Sequence, residues 1–387
     1  MHPDDASAAR LLSKRMFFAV PISSIRTPSV GIPRIHQPIF VRTDQSVPAR
    51  IAPSGFTRLA VTAAASVFIS MLSSTDVAAQ KTIDLHEPSA GDIEVVKLPG
   101  TNASIEMVYV PGGTFTVGSA QDSFGHEADE GPPRTVSVPP FWMSRYEITY
   151  DQYAPFRFRE QDSDSTSAET AFDADGIARP SPPYEDPAHG LGNQGFPAAG
   201  MTQWGALQFA KWVSDKTGGF YRLPTEFEWE FACRAGSGDP YPFGDEVADL
   251  GTYAWYATNS GERYHEVGTR EPNAFGLYDM LGNVSEWTMD QYDANYYASL
   301  EEGADSPWAT PTSLHPRTVR GGAYDDEPEA LRCANRIRSS LSWKRRDPQI
   351  PKSFWWNTDS QFVGFRIIRP ANPPSTAEQE EFWLENF

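Results

Sequence analysis

Cysteine is almost missing from this chain: there are two among 387 residues, beside seven histidines. A zinc cluster built from cysteine ligands is therefore excluded. Cations are also scarce. Against 51 Asp and Glu stand 32 Lys and Arg, giving a formal net charge of −19. A nucleic-acid binder works by clustered cations that release counterions, so this balance argues against one. The most apolar run, Leu59 to Leu72, falls short of the roughly 20 residues that span a bilayer. No internal repeat and no second segment with its own core pattern is visible. What is abundant is aromatic and turn-forming: 11 Trp, 15 Tyr and 23 Phe beside 33 Pro and 29 Gly. That mixture disfavours a helical bundle or coiled coil and points to a loop-rich architecture around aromatic anchors. An apolar share of 40% supports a sizeable core and excludes global disorder.

The charge is unevenly spread. Residues 1–79 carry 8 Lys and Arg and 4 acids, so they contribute +4, and the rest of the chain carries −23. The basic segment leads through Arg58 into the apolar run 59–72 and then Val77-Ala78-Ala79 before Gln80. A basic region, a short apolar stretch and small residues at −3 and −1 are the marks of a secretory signal peptide. The alternatives are a buried core helix or an uncleaved anchor. The Pro-, Ser- and Arg-rich stretch upstream is long for such a leader, which suggests an early start assignment or a disordered extension. A mature chain from about Gln80, periplasmic or secreted, is expected. In an oxidising compartment Cys233 and Cys333 read as a disulfide closing about 100 residues, worth roughly 4–5 kcal/mol in the chain-entropy model. A reactive thiol or a pair of copper ligands is the rival reading, although neither neighbourhood supplies a His base.

Along the mature chain, 80–105 reads as a linker. Met107–Val117 reads as two strands broken by the hairpin signal Gly112-Gly113. His126–Pro133 is a polar loop, and Arg134–Tyr146 reads as strands. A short helix is expected from Thr149 to Phe156. Residues 157–190, acidic and without periodicity, read as a surface insertion. A helix is predicted over Met201–Lys216, with Thr202 at its start and Gly218-Gly219 at its end. Another is predicted over Thr225–Ala235, where Thr225 and Glu228 form a capping-box pattern. After residue 240 come turns and a few short strands. One α+β domain over 106–370, followed by a polar tail over 371–387, is the expected organisation.

Five blocks carry a resemblance: MVYVPGGTFTVGS (107–119), YRLPTEFEWEFACRAG (221–236), NAFGLYDMLGNVSEWT (273–288), RTVRGGAYDD (317–326) and FVGFRIIRP (362–370). In order and spacing they resemble the formylglycine-generating enzyme, or sulfatase-modifying factor, family. The resemblance implies a single C-type-lectin-like α+β domain, low in regular structure. The family includes copper-dependent oxidases that turn a sulfatase cysteine into formylglycine, and iron-dependent sulfoxide-forming enzymes.

Residue by residue, the resemblance also marks departures. The Ser after Arg-Gly-Gly falls on Ala323, the first copper cysteine on Asp326, and the second in a shortened stretch, Pro328–Ala330, that has no sulfur. Cys333 and Cys233 match the family's structural bridge. The Trp of Asn-x-Trp-Glu-Trp is Ser285 here. A hard carboxylate replaces neither a Cu(I) thiolate nor a thiol in exchange chemistry. The iron-type reading finds no i, i+4 histidine pair among His86, His126, His189, His265 and His315. A family calcium loop matches Asp279, Gly282, Val284 and Glu286, hard oxygen donors around a sharp turn, so structural calcium is expected there; the alternative is a metal-free loop with Glu286 capping nearby N–H groups. A second calcium site near Asn259 and Ser260 is weaker, since Asn-Ser-Gly is an ordinary turn.

The altered pocket gathers Ser285, Ala323, Asp325, Asp326 and Glu327 as candidate site residues, with any catalytic metal undetermined. They form either a solvated turn or a place where a carboxylate acts as general base or metal ligand. Arg332, Arg336 and Arg338 are expected to pair with those acids, the alternative being an anionic ligand. Phe354-Trp355-Trp356-Asn357 reads either as cleft lining or as core. Two functions follow: an exported oxidoreductase or protein-modifying factor without the two-cysteine copper site, or a non-catalytic lectin-like module. The partners this leaves are a peptide, a sulfatase or a glycan, and neither nucleic acid nor a bilayer.

Overall fold

The computed structural model describes residues 87–163 and 179–386. The leader over 1–79, residues 80–86 with His86, and residues 164–178 of the acidic stretch lie outside the described residues. Among the described residues the strands form three small sheets. In the first, β1 (Ile93–Lys97), β2 (Ser104–Val110), β5 (Phe141–Ser144) and β11 (Ile368–Pro370) are joined antiparallel in that order, with Val108 opposite Met143 and Met143 opposite Ile368. In the second, β3 (Gly113–Val117) pairs with β4 (Arg134–Val138), which is flanked by β7 (Ala304–Asp305). In the third, the order is β10 (Val363–Gly364), β6 (Ser285–Gln291), β8 (Arg317–Arg320) and β9 (Ile337–Arg338).

Two sequence expectations change here. Gly112-Gly113 does separate two strands, but not as a hairpin: β2 and β3 belong to different sheets, so the glycines mark a crossing between layers. The supposed linker 80–105 contains β1 and the start of β2, an edge and an inner strand of the first sheet. Val96, Leu98 and Ile105 are buried in the core. The tail also contains structure: α6 (Thr376–Asn386) occupies most of it.

The helices begin where the capping chemistry dictates. In α1 (Tyr150–Arg157) the Thr149 side chain accepts from the Gln152 N–H while the Gln152 side chain accepts from the Thr149 N–H. α2 (Gln203–Thr217) starts at Thr202, whose hydroxyl accepts from the Gly205 N–H, and ends on Gly218 in the left-handed region at φ 72°. α3 (Glu226–Arg234) has the reciprocal Thr225–Glu228 box. Each satisfies backbone donors that the helix itself leaves open. Two short helices, α4 (Leu250–Tyr253) and α5 (Tyr296–Ser299), complete the set.

The core has two parts. One packs α1 and α2 against Trp287, Trp355, Trp356 and Phe365. The other surrounds α3 and holds Cys233 and Cys333. These two cysteines form a disulfide with Cα atoms 5.7 Å apart, and both are fully buried. Trp355 and Trp356 are therefore core, whereas Phe354 is 60% exposed. The flank of the expected surface insertion is tied down: Arg179 is buried, donating to the carbonyls of Pro155 and Phe156 and pairing with Asp162.

Candidate functional site

α3 and β6 set the electrostatics of the interior. Every residue of α3 is buried, including Glu226, Glu228 and Glu230. A buried carboxylate is tolerable only with a charged, hydrogen-bonded partner. Each glutamate has one. Glu226 takes a two-point contact from Arg336 at 2.9 and 3.0 Å. Glu228 takes one from Arg222 at 2.7 and 2.9 Å. Glu230 is held by Arg320 and by Arg234. β6 is buried on both faces, and its polar residues meet this lattice. Asp290 accepts from the Glu226 N–H at 2.7 Å and the Ala309 N–H at 3.0 Å. Burial, together with the Glu226 carboxylate, pushes its carboxyl well above the usual range.

The next acid on β6, Glu286, is held most tightly. Arg366 donates Nε to Oε2 and Nη2 to Oε1, both at 2.6 Å, and the Trp229 indole N–H donates to Oε2 at 2.7 Å. Arg366 also donates to the carbonyls of Ser144 and Tyr278. One buried guanidinium thus joins β5, β6 and the loop before β6.

That loop, 278–284, is sharply folded. Asp279 and Asn283 sit at φ 53° and 54°, in the left-handed region. Gly282 is there too, and a Cβ on it would lie 2.1 Å from the Trp255 carbonyl oxygen, so only glycine fits. The loop is sewn to the turn at 320–326: Gly282 N–H donates to Gly321 C=O at 3.0 Å, and Tyr324 N–H to Asn283 C=O at 2.9 Å. Beneath it lies Glu147, which accepts from Asn283 Nδ2 at 2.7 Å and Val284 N–H at 2.9 Å. Burial, then the nearby Asp279 and Glu286 carboxylates, push Glu147 well above the carboxylate range. Asp279 Oδ2 accepts from the Gly268 N–H at 2.7 Å, while Oδ1 is buried without a hydrogen-bond partner.

The turn 323–327 uses one acid as a brace. Asp326 Oδ2 accepts from the Ala323 N–H at 2.9 Å, and the Asp326 N–H donates back to Ala323 C=O at 3.1 Å. Asp325 and Glu327 face solvent. Burial raises the carboxyl of the half-buried Asp326. Ser285 is fully buried; its N–H donates to Phe362 C=O, and its hydroxyl has no hydrogen-bond partner.

Several expectations need correction. Around the residues expected to bind calcium, Asp279, Gly282, Val284 and Glu286, both oxygens of Glu286 accept from Arg366 and Trp229, while Asp279 Oδ1 is buried without a hydrogen-bond partner. Among the described residues no group of three or more His, Cys, Asp or Glu gathers to hold a metal. Asn259 braces its own turn, accepting from Tyr256 N–H and donating to Ala254 C=O. Arg332 and Arg336 do pair with acids, but with Glu130 and Glu226 rather than Asp325–Glu327. Sequence reasoning missed Glu147, Glu226, Glu230, Asp290 and Glu130 as buried acids. The only signal for them was an excess of Arg in blocks otherwise apolar.

Small sheets, little regular structure and a disulfide-pinned core define a single α+β domain of the C-type-lectin-like kind. The family description "Sulfatase-modifying factor enzyme 1-like domain" matches residues 94–371, and the chain belongs to that family. It is 30% identical over 239 residues to serine/threonine-protein kinase Pkn1 of Chlamydia trachomatis, covering 61% of this chain and 36% of that protein. The chain thus spans about a third of the length of that relative. It is 29% identical over 254 residues to the formylglycine-generating enzyme of Thermomonospora curvata, covering 56% and 82% of the two chains. The structure of PvdO from Pseudomonas aeruginosa superposes with a TM-score of 0.55 at 28% identity, covering 73% of this chain and all of that one.

Asp279 offers a direct check of this electrostatic picture. Burial is the largest cause that lifts its carboxyl from 3.8 to about 6. Between those values the folded state holds more protons than the unfolded one, so stability falls as pH rises from about 4 to about 6. Asp279→Asn keeps an acceptor for Gly268 and a residue tolerant of the left-handed backbone. Urea titrations should show the variant more stable than the parent at pH 7.5 by about 1–3 kcal/mol, with a flatter pH profile. An unchanged profile would refute the buried-charge reading.

Proposed function

We propose that this protein is an exported sulfatase-modifying-factor-type domain that binds a polypeptide or glycan partner and performs no thiol-based oxidation. The carrying observation is the fate of its sulfur. The chain has two cysteines, and both are joined in the buried bridge. The position that resembles the family's first copper cysteine is Asp326, whose carboxylate braces the Ala323 turn. Copper(I) prefers soft thiolates, and the residues of this turn offer hard oxygen instead, so they do not fit that ion. No chemical step is assigned through it. A second reading, in which a carboxylate acts as general base, is favoured by one observation: Asp326 is half-buried against the Ala323 turn, and burial raises its carboxyl.

Incubating the full chain with a cysteine-bearing sulfatase peptide, copper and oxygen should leave the peptide mass unchanged, while fluorescence anisotropy registers binding. A mass loss at the peptide cysteine would overturn the proposal. Asp326→Asn separates the two readings, since it abolishes any turnover that depends on this base and leaves binding in place. The 278–286 loop is proposed to be held by Arg366 rather than by calcium. EDTA should therefore leave the melting temperature unchanged, and a drop that calcium restores would contradict this.

A further inference from the structure

Arg317 stands outside the acid–arginine lattice. Arg222, Arg234, Arg320, Arg332, Arg336 and Arg366 each hold a carboxylate within 3 Å. On the far side of β8, Arg317 holds none. It is half-buried, its Nε has no hydrogen-bond partner, and Nη1 makes only a long 3.4 Å contact to Met289 C=O. It borders a cavity of about 310 Å³ together with His315 and Lys344. Among the described residues, none of the three has an acidic side chain within ion-pairing distance. His315 Nδ1 contacts Ser339 Oγ at 2.9 Å, and Lys344 Nζ donates to Ser353 C=O at 2.6 Å. A chain with 51 acids leaves three basic groups converging on one hollow. Burial acts against their charge: His315 is lowered by burial and then by Lys344 and Arg317, and burial brings Lys344 down to about 8, against the pull of Asp347, and Arg317 to about 10, against that of Asp290.

The rest of the cavity has a different character. Trp204, Trp287 and Phe354 form its walls. Asn357, which is 4% exposed, lines it and keeps Oδ1 without a donor. The first turn of α2, a 15-residue helix, opens beside the same space and adds partial positive charge. One end thus suits an anion and the walls suit a flat apolar body. The volume sits at the lower end of small-ligand sites.

We propose that this cavity is a binding site for an aromatic carboxylate, its carboxylate set between Arg317, Lys344 and His315 and its ring against Trp204 and Phe354. Asn357 Oδ1 accepts from a hydroxyl or amide N–H on the ligand where one is present. Glu385 of α6 lies at the rim as the chain's own competing carboxylate. The site is separate from the 323–327 turn and does not rest on the absence of thiol chemistry.

Calorimetry with the full chain tests it, using phenylacetate, its neutral analogue phenylacetamide, and inorganic sulfate. Phenylacetate should bind at least tenfold more tightly than either of the other two. Arg317→Gln and, separately, Lys344→Gln should each weaken it by about tenfold with the melting temperature held. Phe354→Ala, at an exposed position, should weaken phenylacetate and leave sulfate unchanged. Equal affinity for phenylacetate and phenylacetamide, or no loss in the folded Lys344→Gln variant, would overturn the anion site. Sulfate binding as tightly as phenylacetate would overturn the aromatic part. No heat from any of the three at 10 mM would overturn the whole proposal.

Discussion

The contact between Glu286 and Arg366 is the constraint on which the site region depends. Either charge alone in this interior would be untenable, since an unpaired buried ion costs several kcal/mol. Together they fix three pieces of chain. Arg366 reaches the carbonyls of Ser144 on β5 and Tyr278 at the start of the loop, and Glu286 accepts from Trp229 on α3. The loop 278–284 can then adopt its left-handed turns, because its ends are held and Glu147 receives the Asn283 amide and Val284 N–H from below. The turn that carries Ala323 and Asp326 hangs on this loop through the Gly282–Gly321 and Asn283–Tyr324 contacts. The candidate site is thus tied, through this loop, to a buried charge pair.

The same logic recurs around α3 and explains the arginine content of the blocks. Glu226, Glu228 and Glu230 lie on a helix with no exposed face; Glu226 and Glu230 recruit arginines from distant segments, Arg336 and Arg320, and Glu228 takes Arg222 from just before the helix. Such pairs add little net stability compared with apolar packing, but they are selective, because a misregistered strand leaves a buried charge unpaired. In a fold with few ladder hydrogen bonds per sheet, they supply register that short strands cannot. The Cys233–Cys333 bridge pins the same helix to the segment after the site turn.

Much of the fold was legible from local chemistry. Thr149, Thr202 and Thr225 each announce a helix start through a side chain that answers backbone donors, and all three do so. What was not legible depended on distance in sequence. Gly112-Gly113 has the local grammar of a hairpin, yet the partner strands lie elsewhere, β1 and β5 on one side and β4 on the other. Residues 93–105 looked like a linker because Glu94 and Lys97 interrupt their apolar pattern, although β1 and the start of β2 belong to the first sheet. In the site, Ser285-Glu286-Trp287-Thr288-Met289-Asp290 alternates as a strand with one wet face would, but both faces are buried. Arginines from 80 residues away cover the polar one, as in the Arg366–Glu286 contact. The resemblance to a family calcium loop says nothing of Arg366, which lies 80 residues from Glu286 in sequence and meets both of its oxygens in the fold.

The central claim is that Glu286 is committed to Arg366, and a double-mutant cycle on chemical unfolding measures it directly. Glu286→Met and Arg366→Met should each cost about 3–5 kcal/mol, because each strands the other charge. The double variant should lose far less than their sum, with a coupling of about 2–3 kcal/mol. Additive losses would show that the two side chains do not depend on each other and would contradict the account.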